Sequence, residues 1–313
     1  MRSPNHLAIK EVCRTAIPQL ADKHGLGEVI LLRLDENGWV NPCFFLNEEY
    51  VIRFNARDPE VPKFQREKFV FSLLHASRIP TPKSFVLDES REFVPYEVLI
   101  TKMLPGQNIE AQWPSLDTQE RELVAADAGR WLAQLHRQSF DFFGELTNRG
   151  PLPRTGTWIE YLEARLEYHL QQSAKFKIFE AATEDRFRQA LQDRREIFES
   201  VTEASLIHMD YHLGNLLHQD LKVTAVLDFE WAFAGDPLYD LCRWVHGEDW
   251  PGSRKGFLQG YGRSGFSDLE LRRIEIYQML QNIELCPVAA EHFPADEAQS
   301  YRKTTLEQFE RMI

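Results

Sequence analysis

The chain has 313 residues, with 36 Lys and Arg against 48 Asp and Glu and a net charge of −12. That length suits two modest domains or one two-lobed enzyme, and the acidic balance argues against nucleic acid as a partner, because neutralising phosphates needs clustered basic side chains. The four scattered cysteines (Cys13, Cys43, Cys242, Cys286) form no CxxC pair, and no run of about 18 apolar residues occurs, so a zinc knuckle and a membrane span are not expected.

In chain order, residues 7 to 24 have the periodicity of an amphipathic helix, with Leu7, Ile9, Val12, Ile17 and Leu20 as its apolar set. The first twenty residues lack the continuous apolar stretch of a secretory signal, and a reducing cytoplasm is the expected location. Three short apolar runs follow, "VILLRL", "PCFFL" and "YVIRF", separated by turn residues, which predicts an antiparallel meander. In the third run Tyr50, Ile52 and Phe54 face one way, and Val51, Arg53 and Asn55 the other. A helix is expected over about 62 to 77, then strands in "IPTPKSFVLD" and "YEVLITKML". "LPGQ" punctuates the chain near Leu104. Beyond it the pattern is mainly helical, apart from a strand-bearing island between about 205 and 233. A sheet-rich part over 1–104 and a helix-rich part over 105–313 are therefore expected.

The island holds the chemistry. "SLIHMDYHLGNLLHQDLKVTAVLDFE" reads as a strand into a loop, then a hairpin turning at "QDLK". Asn215 and Asp228 fall near the open end of that hairpin, and Asp210 lies on the preceding loop. Two carboxylates and one amide oxygen form a hard-oxygen set that suits Mg²⁺, an ion that keeps coordination positions for water and phosphate. A carboxylate not fully engaged by metal can accept a hydroxyl proton. These are the parts that phosphoryl transfer requires. The same residues could instead be simple turn formers. His208, Asp210 and His212 could form a zinc or iron site, although no further histidine cluster supplies the remaining ligands.

His208-x-Asp210-x-x-x-x-Asn215 followed by Asp228 resembles the aminoglycoside phosphotransferase and choline kinase family, relatives of the protein kinases. The resemblance runs from about residue 28 to 245. It implies a protein-kinase-like, two-lobed α+β fold with a small antiparallel sheet in one part and a mainly helical second part. By the same resemblance Asp210 is the catalytic base and Asn215 and Asp228 hold Mg²⁺. "YVIRF" and "FQREKF" look like the family's pair of a basic strand residue and a helix glutamate, here Arg53 and Glu67, which position the ATP phosphates. "VLITKMLPG" looks like the hinge strand, whose backbone at Lys102 and Leu104 would meet the adenine edge; GTP is an alternative nucleotide. In "GDPLYDL" the second aspartate, Asp240, would brace the catalytic loop, and His208 would support it.

Departures from the pattern are specific. Arg53 stands where many relatives carry Lys. Only Gly38 in "ENGWVNPCFF" matches the glycine-rich loop, and Glu230 replaces the glycine of the protein-kinase metal motif. Asp228 and Asp240 are twelve positions apart, too few for a long peptide-seating segment. The acceptor implied is a hydroxyl of a small molecule, with a slight bias toward a cationic one from the acidic balance. An aminoglycoside or other antibiotic comes first, and choline, homoserine or a sugar is the alternative. A degenerate kinase-like binding protein is the reading from outside enzymology. His136 reads as a core or cap residue, Trp131, Trp158 and Trp231 as packing, and Glu248 and Asp249 as a solvated loop or a contact for a cationic substrate.

Overall fold

The computed structural model describes residues 4–35, 41–246 and 250–313. Gly38, Glu248 and Asp249 lie outside the described residues. Contacts group the chain into two compact units, Met1–Gln112 with His212–Trp231, and Trp113–Tyr211 with Ala232–Ile313. The sequence alone leads to an expected division near Leu104. The units group residues differently, because the short strand after Leu104 hydrogen-bonds to the hairpin of the 212–231 segment.

The first unit contains helix α1 (Pro4–His24), strands β1 (Leu32–Leu34), β2 (Cys43–Leu46) and β3 (Tyr50–Phe54), helix α2 (Lys63–Leu73), strands β4 (Phe85–Asp88), β5 (Val98–Lys102) and β6 (Gln107–Asn108), and helix α3 (Ile109–Gln112). The meander appears as expected, in a five-stranded antiparallel sheet of order β1-β2-β3-β5-β4. The first apolar run is strand only from Leu32, because the Asn47 side chain takes the Ile30 and Leu31 amides, both at 3.0 Å. The fourth strand begins at Phe85, since Pro80 and Pro82 have no N–H for a ladder. Ile52 and Phe54 point into a core closed by Cys13, Ile17 and Leu20 of α1, and the Phe44 and Phe54 rings meet edge to face at 5.9 Å.

The second unit starts with helix α4 (Thr118–Leu135), whose N-terminus is closed by a capping box of Asp117 and Glu120. Strands β7 (Ser139–Phe140), β8 (Phe143–Glu145) and β9 (Arg154–Thr155), helices α5 (Trp158–Lys175) and α6 (Ala181–Gln192), and strand β10 (Ala204–Ile207) follow. The chain then returns to the first unit for the hairpin β11 (Leu216–Gln219) and β12 (Lys222–Val226). Asp220 and Leu221 make its two-residue turn with φ of 51° and 60°, the left-handed pair such a hairpin needs. Back in the second unit come β13 (Phe233–Gly235) and helices α7 (Leu238–His246), α8 (Arg254–Tyr261), α9 (Asp268–His292) and α10 (Ala295–Met312). Helices α4 and α8 cross in backbone contact. A side-chain carbon added at Gly129, Gly256 or Gly260 would strike the carbonyls of Phe257, Glu122 or Ala126.

Trp158 lies at the centre of the second unit's aromatic core, stacked on Tyr161 and Phe233, and it donates to the Tyr277 hydroxyl at 2.7 Å. Arg165 and Glu284 form a buried ion pair beside it, with the second guanidinium nitrogen 2.8 Å from the carboxylate. No helix among the described residues is long and apolar enough to cross a membrane. All four cysteines are unpaired.

Candidate active site

In the first unit the alternation of β3 that buries Ile52 and Phe54 sends Arg53 to the opposite face. Its Nη1 donates to both oxygens of Glu67 on α2 at 2.8 Å, and its Nη2 reaches Asp228 at 2.8 Å and Glu230 at 3.4 Å. One guanidinium thus carries three carboxylates. Burial works against its charge, but Glu67, Asp228 and Glu230 outweigh burial and hold its pKa well above the usual value. Glu67 is almost fully buried; that burial pushes its pKa up to about 7, with Arg53 opposing and the charges of Asp228 and Glu230 adding to the rise. Burial, and then Asp228, also raise Glu230.

The hairpin positions these acids. Leu227 N donates to Asn215 O at 2.9 Å, which ties the residue before Asp228 to Asn215, and Val226 N donates to Pro80 O at 2.7 Å. Phe229 sits edge-on to Phe71 of α2 at 6.1 Å, so the side chain between Asp228 and Glu230 is held in the core. Asp228 itself is left-handed, φ 66°, a conformation that aspartate tolerates better than most residues. Glu230 is further tied by Asn41, whose amide reaches it at 3.3 Å, while its own carbonyl accepts from Arg66. Ahead of Asn215, His212 Nδ1 accepts from Gly214 N at 3.0 Å, and the Asn108 amide of β6 donates to Gly214 O at 2.6 Å.

At the proposed hinge, Lys102 N donates to Ser84 O at 3.2 Å and Met103 N to Glu49 O at 2.7 Å. The Lys102 ammonium pairs with Glu49 and lies over the Tyr50 ring at 4.2 Å. Neither the Lys102 amide nor its side chain is therefore turned to a base edge. The groups of this segment left to the hinge reading are the Lys102 carbonyl and the Leu104 backbone.

In the second unit β10 leads into the loop of His208, Met209 and Asp210. Asp240 of α7 takes the His208 amide at 2.8 Å and the Met209 amide at 2.7 Å, and His136 Nε2 lies 3.0 Å from the same carboxylate. His136 is in turn 2.6 Å from the Tyr261 hydroxyl. Met209 has φ 74°, an uncommon value for an unbranched side chain, and the two amide bonds to Asp240 hold it there. His208 is fully buried and edge-on to Tyr211, whose hydroxyl donates to Ala128 O at 2.7 Å. Asp210 is about one-third exposed, and its Oδ1 accepts from Arg243 Nη1 at 2.9 Å. The first aspartate of "GDPLYDL", Asp236, caps α7 at Leu238 N and takes Tyr277 at 2.6 Å and Arg273 at 2.9 Å.

Three residues in these networks have no active-site role in the sequence reading. Glu230 was visible only as a departure from a motif. Arg243 follows Asp240 by one helical turn, a spacing that places the two on one face but names no partner. His136 was legible as a cap and not as a support of Asp240, because that contact joins α4 to α7. Among the described residues, no cluster of three or more His, Cys, Asp or Glu side chains could hold a metal. A zinc or iron site at His208, Asp210 and His212 therefore finds no support there. Asn215 and Asp228 offer one amide and one carboxylate oxygen, the hard and sparse donor set that fits Mg²⁺.

Comparison with known proteins gives a consistent result. The phosphotransferase enzyme family APH matches residues 32–274, well over half of the chain. A solved thermostable mutant of aminoglycoside phosphotransferase APH(4)-Ia, in ternary complex with AMP-PNP and hygromycin B, superposes with a TM-score of 0.69 at 19% identity, covering 94% of this chain and 98% of that one. The gentamicin complex of APH(2")-IIa gives 0.65 at 16% identity, covering 94% and 95%. These likenesses establish the protein-kinase-like α+β fold. Curated sequence relatives are acyl-CoA dehydrogenase family member 11 of Rattus norvegicus, 25% identical over 224 residues, and of Homo sapiens, 26% identical over 230 residues. The matches cover 69% and 68% of this chain but only 28% and 27% of those proteins.

Proposed function

Since the chain belongs to the phosphotransferase enzyme family, we propose that it is an ATP-dependent kinase that moves the γ-phosphoryl group to a hydroxyl of a small molecule in the cytoplasm. The observation that carries the reading is the Arg53 network, in which a part-buried strand arginine is fixed by Glu67 and reaches Asp228. A surface charge has no need of such support. A nucleotide-binding arginine does, because a preorganised fork loses little freedom on taking phosphate.

Each residue has a stated task. Arg53, oriented by Glu67, holds phosphate oxygens of the nucleotide. The Lys102 carbonyl and Leu104 backbone meet the base edge, which adenine fits and guanine can also approach. Asn215 and Asp228 hold Mg²⁺, which offsets phosphate charge when bound. Asp210 accepts the proton of the acceptor hydroxyl. The acceptor oxygen bonds to the γ-phosphorus as the bond from that phosphorus to the β–γ bridging oxygen breaks, and ADP leaves with the electron pair. Asp240 and His208 keep Asp210 in place through the backbone. Positioning and electrostatics carry the rate.

The relatives supply two acceptor classes. The aligned structures hold hygromycin B and gentamicin, which brings aminoglycosides to this chain as candidates. The curated relatives are named as members of an acyl-CoA dehydrogenase family, so acyl-CoA thioesters with a hydroxyl join choline, homoserine and sugars as candidates to test. The test is Mg-ATP turnover, read as coupled ADP release, across aminoglycosides, amino alcohols, sugars, hydroxy acids and hydroxyacyl-CoA. Stimulation by one class is the expected result, with Asp210→Ala abolishing it while Mg-ATP binding persists. Wild-type turnover in Asp210→Ala would sink the mechanism. Mg-ATP binding with no turnover of any kind would favour a binding protein instead.

A further inference from the structure

The two residues of β6 do more than extend a sheet. Gln107 and Asn108 lie opposite His218 and Leu217 of β11, and the Thr224 hydroxyl of β12 donates to Pro105 O at 2.5 Å, so the stretch after Leu104 is seated on the hairpin. Gly106 turns there at φ 121°, where an added side-chain carbon would strike the Thr224 hydroxyl and the His218 carbonyl. The Asn108 side chain then works in two directions. Its Oδ1 accepts from Ala111 N at 3.0 Å and caps α3, and its Nδ2 donates to Gly214 O at 2.6 Å. One partner is an N–H and the other a carbonyl, so the amide fits only one way round.

Gly214 O belongs to the peptide unit that leads into Asn215. That unit is planar, and its other polar end is bonded as well, Asn215 N donating to His212 O at 3.0 Å. Beyond it, Asn215 O accepts from Leu227 N at 2.9 Å. Of these bonds only the one from Asn108 reaches Asn215's peptide from outside the 212–231 segment. A cap for α3 needs only the Oδ1, which a serine or an aspartate would supply equally well. What asparagine adds is the amide nitrogen, and that nitrogen goes to the loop. We propose that Asn108 is a positioning residue for Mg²⁺ binding: it clamps the Gly214–Asn215 peptide and thereby sets the orientation of the Asn215 side chain as a ligand. This rests on the phosphotransferase reading above, in which Asn215 holds Mg²⁺. Strand β6 keeps its ladder and the Thr224 bond without this side chain, so the hinge outlasts loss of the clamp.

The experiment is calorimetry of ADP binding with and without Mg²⁺, on the wild type, Asn108→Ser and Asn108→Asp, beside urea unfolding of each. Both replacements keep an oxygen for the α3 cap. Serine is too short to reach Gly214 O, and aspartate sets a carboxylate oxygen against it. In the wild type Mg²⁺ should tighten ADP binding. Asn108→Ser should cut that gain about 3- to 10-fold, the worth of one hydrogen bond, and Asn108→Asp should cut it further, while Mg²⁺-free ADP affinity stays within about 2-fold. An undiminished gain in the folded variants overturns the proposal and leaves Asn108 a helix cap. Equal losses with and without Mg²⁺ overturn it too, since Asn108 would then serve the hinge. Loss of cooperative urea unfolding in both variants does the same, by making Asn108 a part of the fold. Wild-type ADP binding that gains nothing from Mg²⁺ removes the metal assignment and this proposal with it, and no ADP binding at all removes the phosphotransferase reading. A Mg²⁺ gain that survives in the variants leaves that reading standing while Asn108 loses its role.

Discussion

The Asp240 carboxylate takes the Met209 amide at 2.7 Å, directly before Asp210 in the chain. Met209 is left-handed there, so the bond holds a conformation the chain would otherwise leave. In Asp240→Asn one oxygen becomes a donor and meets the N–H of His208 or Met209 head-on. Turnover should fall roughly 100-fold through misplacement of Asp210, and stability by about 1–3 kcal/mol for the unmatched buried group. Steady-state kinetics beside urea unfolding test both, and unchanged kcat with lowered stability would reduce Asp240 to a purely structural part.

The three carboxylates on Arg53 predict opposite outcomes for two substitutions. Arg53→Ala strands Glu67 in the interior and should cost about 3–5 kcal/mol. Glu230→Gln removes one of the mutually repelling acids while keeping its shape, so stability should stay level or rise by up to about 1 kcal/mol. Chemical denaturation of both variants is decisive; a Glu230→Gln protein as unstable as Arg53→Ala would show that Glu230 is an essential partner of the guanidinium.

His169 supplies a pH dependence. Burial lowers its pKa from 6.5 to about 4, with Glu284 opposing and Arg165 adding to the fall. The folded protein keeps the ring neutral where the unfolded chain protonates it, so the unfolded state binds more protons between those values. The contribution of this ring to stability is therefore complete above about pH 6.5 and is lost as pH falls toward 4, by roughly 3 kcal/mol. His169→Gln should flatten the stability profile in that window. An equally steep profile in the variant would assign the slope to other groups.

Leu221 at φ 60° in the hairpin turn predicts a stabilising change. Leu221→Gly removes the steric penalty of a side chain in the left-handed region and should add about 0.5–1 kcal/mol. Differential scanning calorimetry would register it as a Tm higher by about 1–2 °C. A lower Tm would mean that leucine packing outweighs the strain.

Some of this architecture can be read from the chain and some cannot. The meander is legible because the alternation in "YVIRF" fixes which side chains are buried, and "QDLK" marks its own turn. Asp240 is legible because "GDPLYDL" runs into the helical pattern that starts at Leu238, and α7 begins there. The crossing of α4 and α8 is illegible, because Gly256 and Gly260 share one face of α8 but nothing in the sequence shows that they and Gly129 face carbonyls of another helix. The same holds for Glu230 with Asn41 and for β6 with β11, where a two-residue strand carries no periodicity. Contacts between distant segments decide these features, and local pattern is silent about them.

The division of the first unit into two chain segments bears on how the protein is made. A ribosome releases residues 1–112 first, then the whole Trp113–Tyr211 stretch of the other unit, and only afterwards the hairpin with Asn215, Asp228 and Glu230. Until that hairpin emerges, Arg53 and Glu67 have each other but lack Asp228 and Glu230, and Phe71 lacks Phe229. The nascent first unit is therefore incomplete through the synthesis of about a hundred further residues. A gene fragment ending after the sheet would encode a protein without its acidic half, and supplying residues 212–231 as a separate peptide is the direct way to ask whether the rest can wait for it.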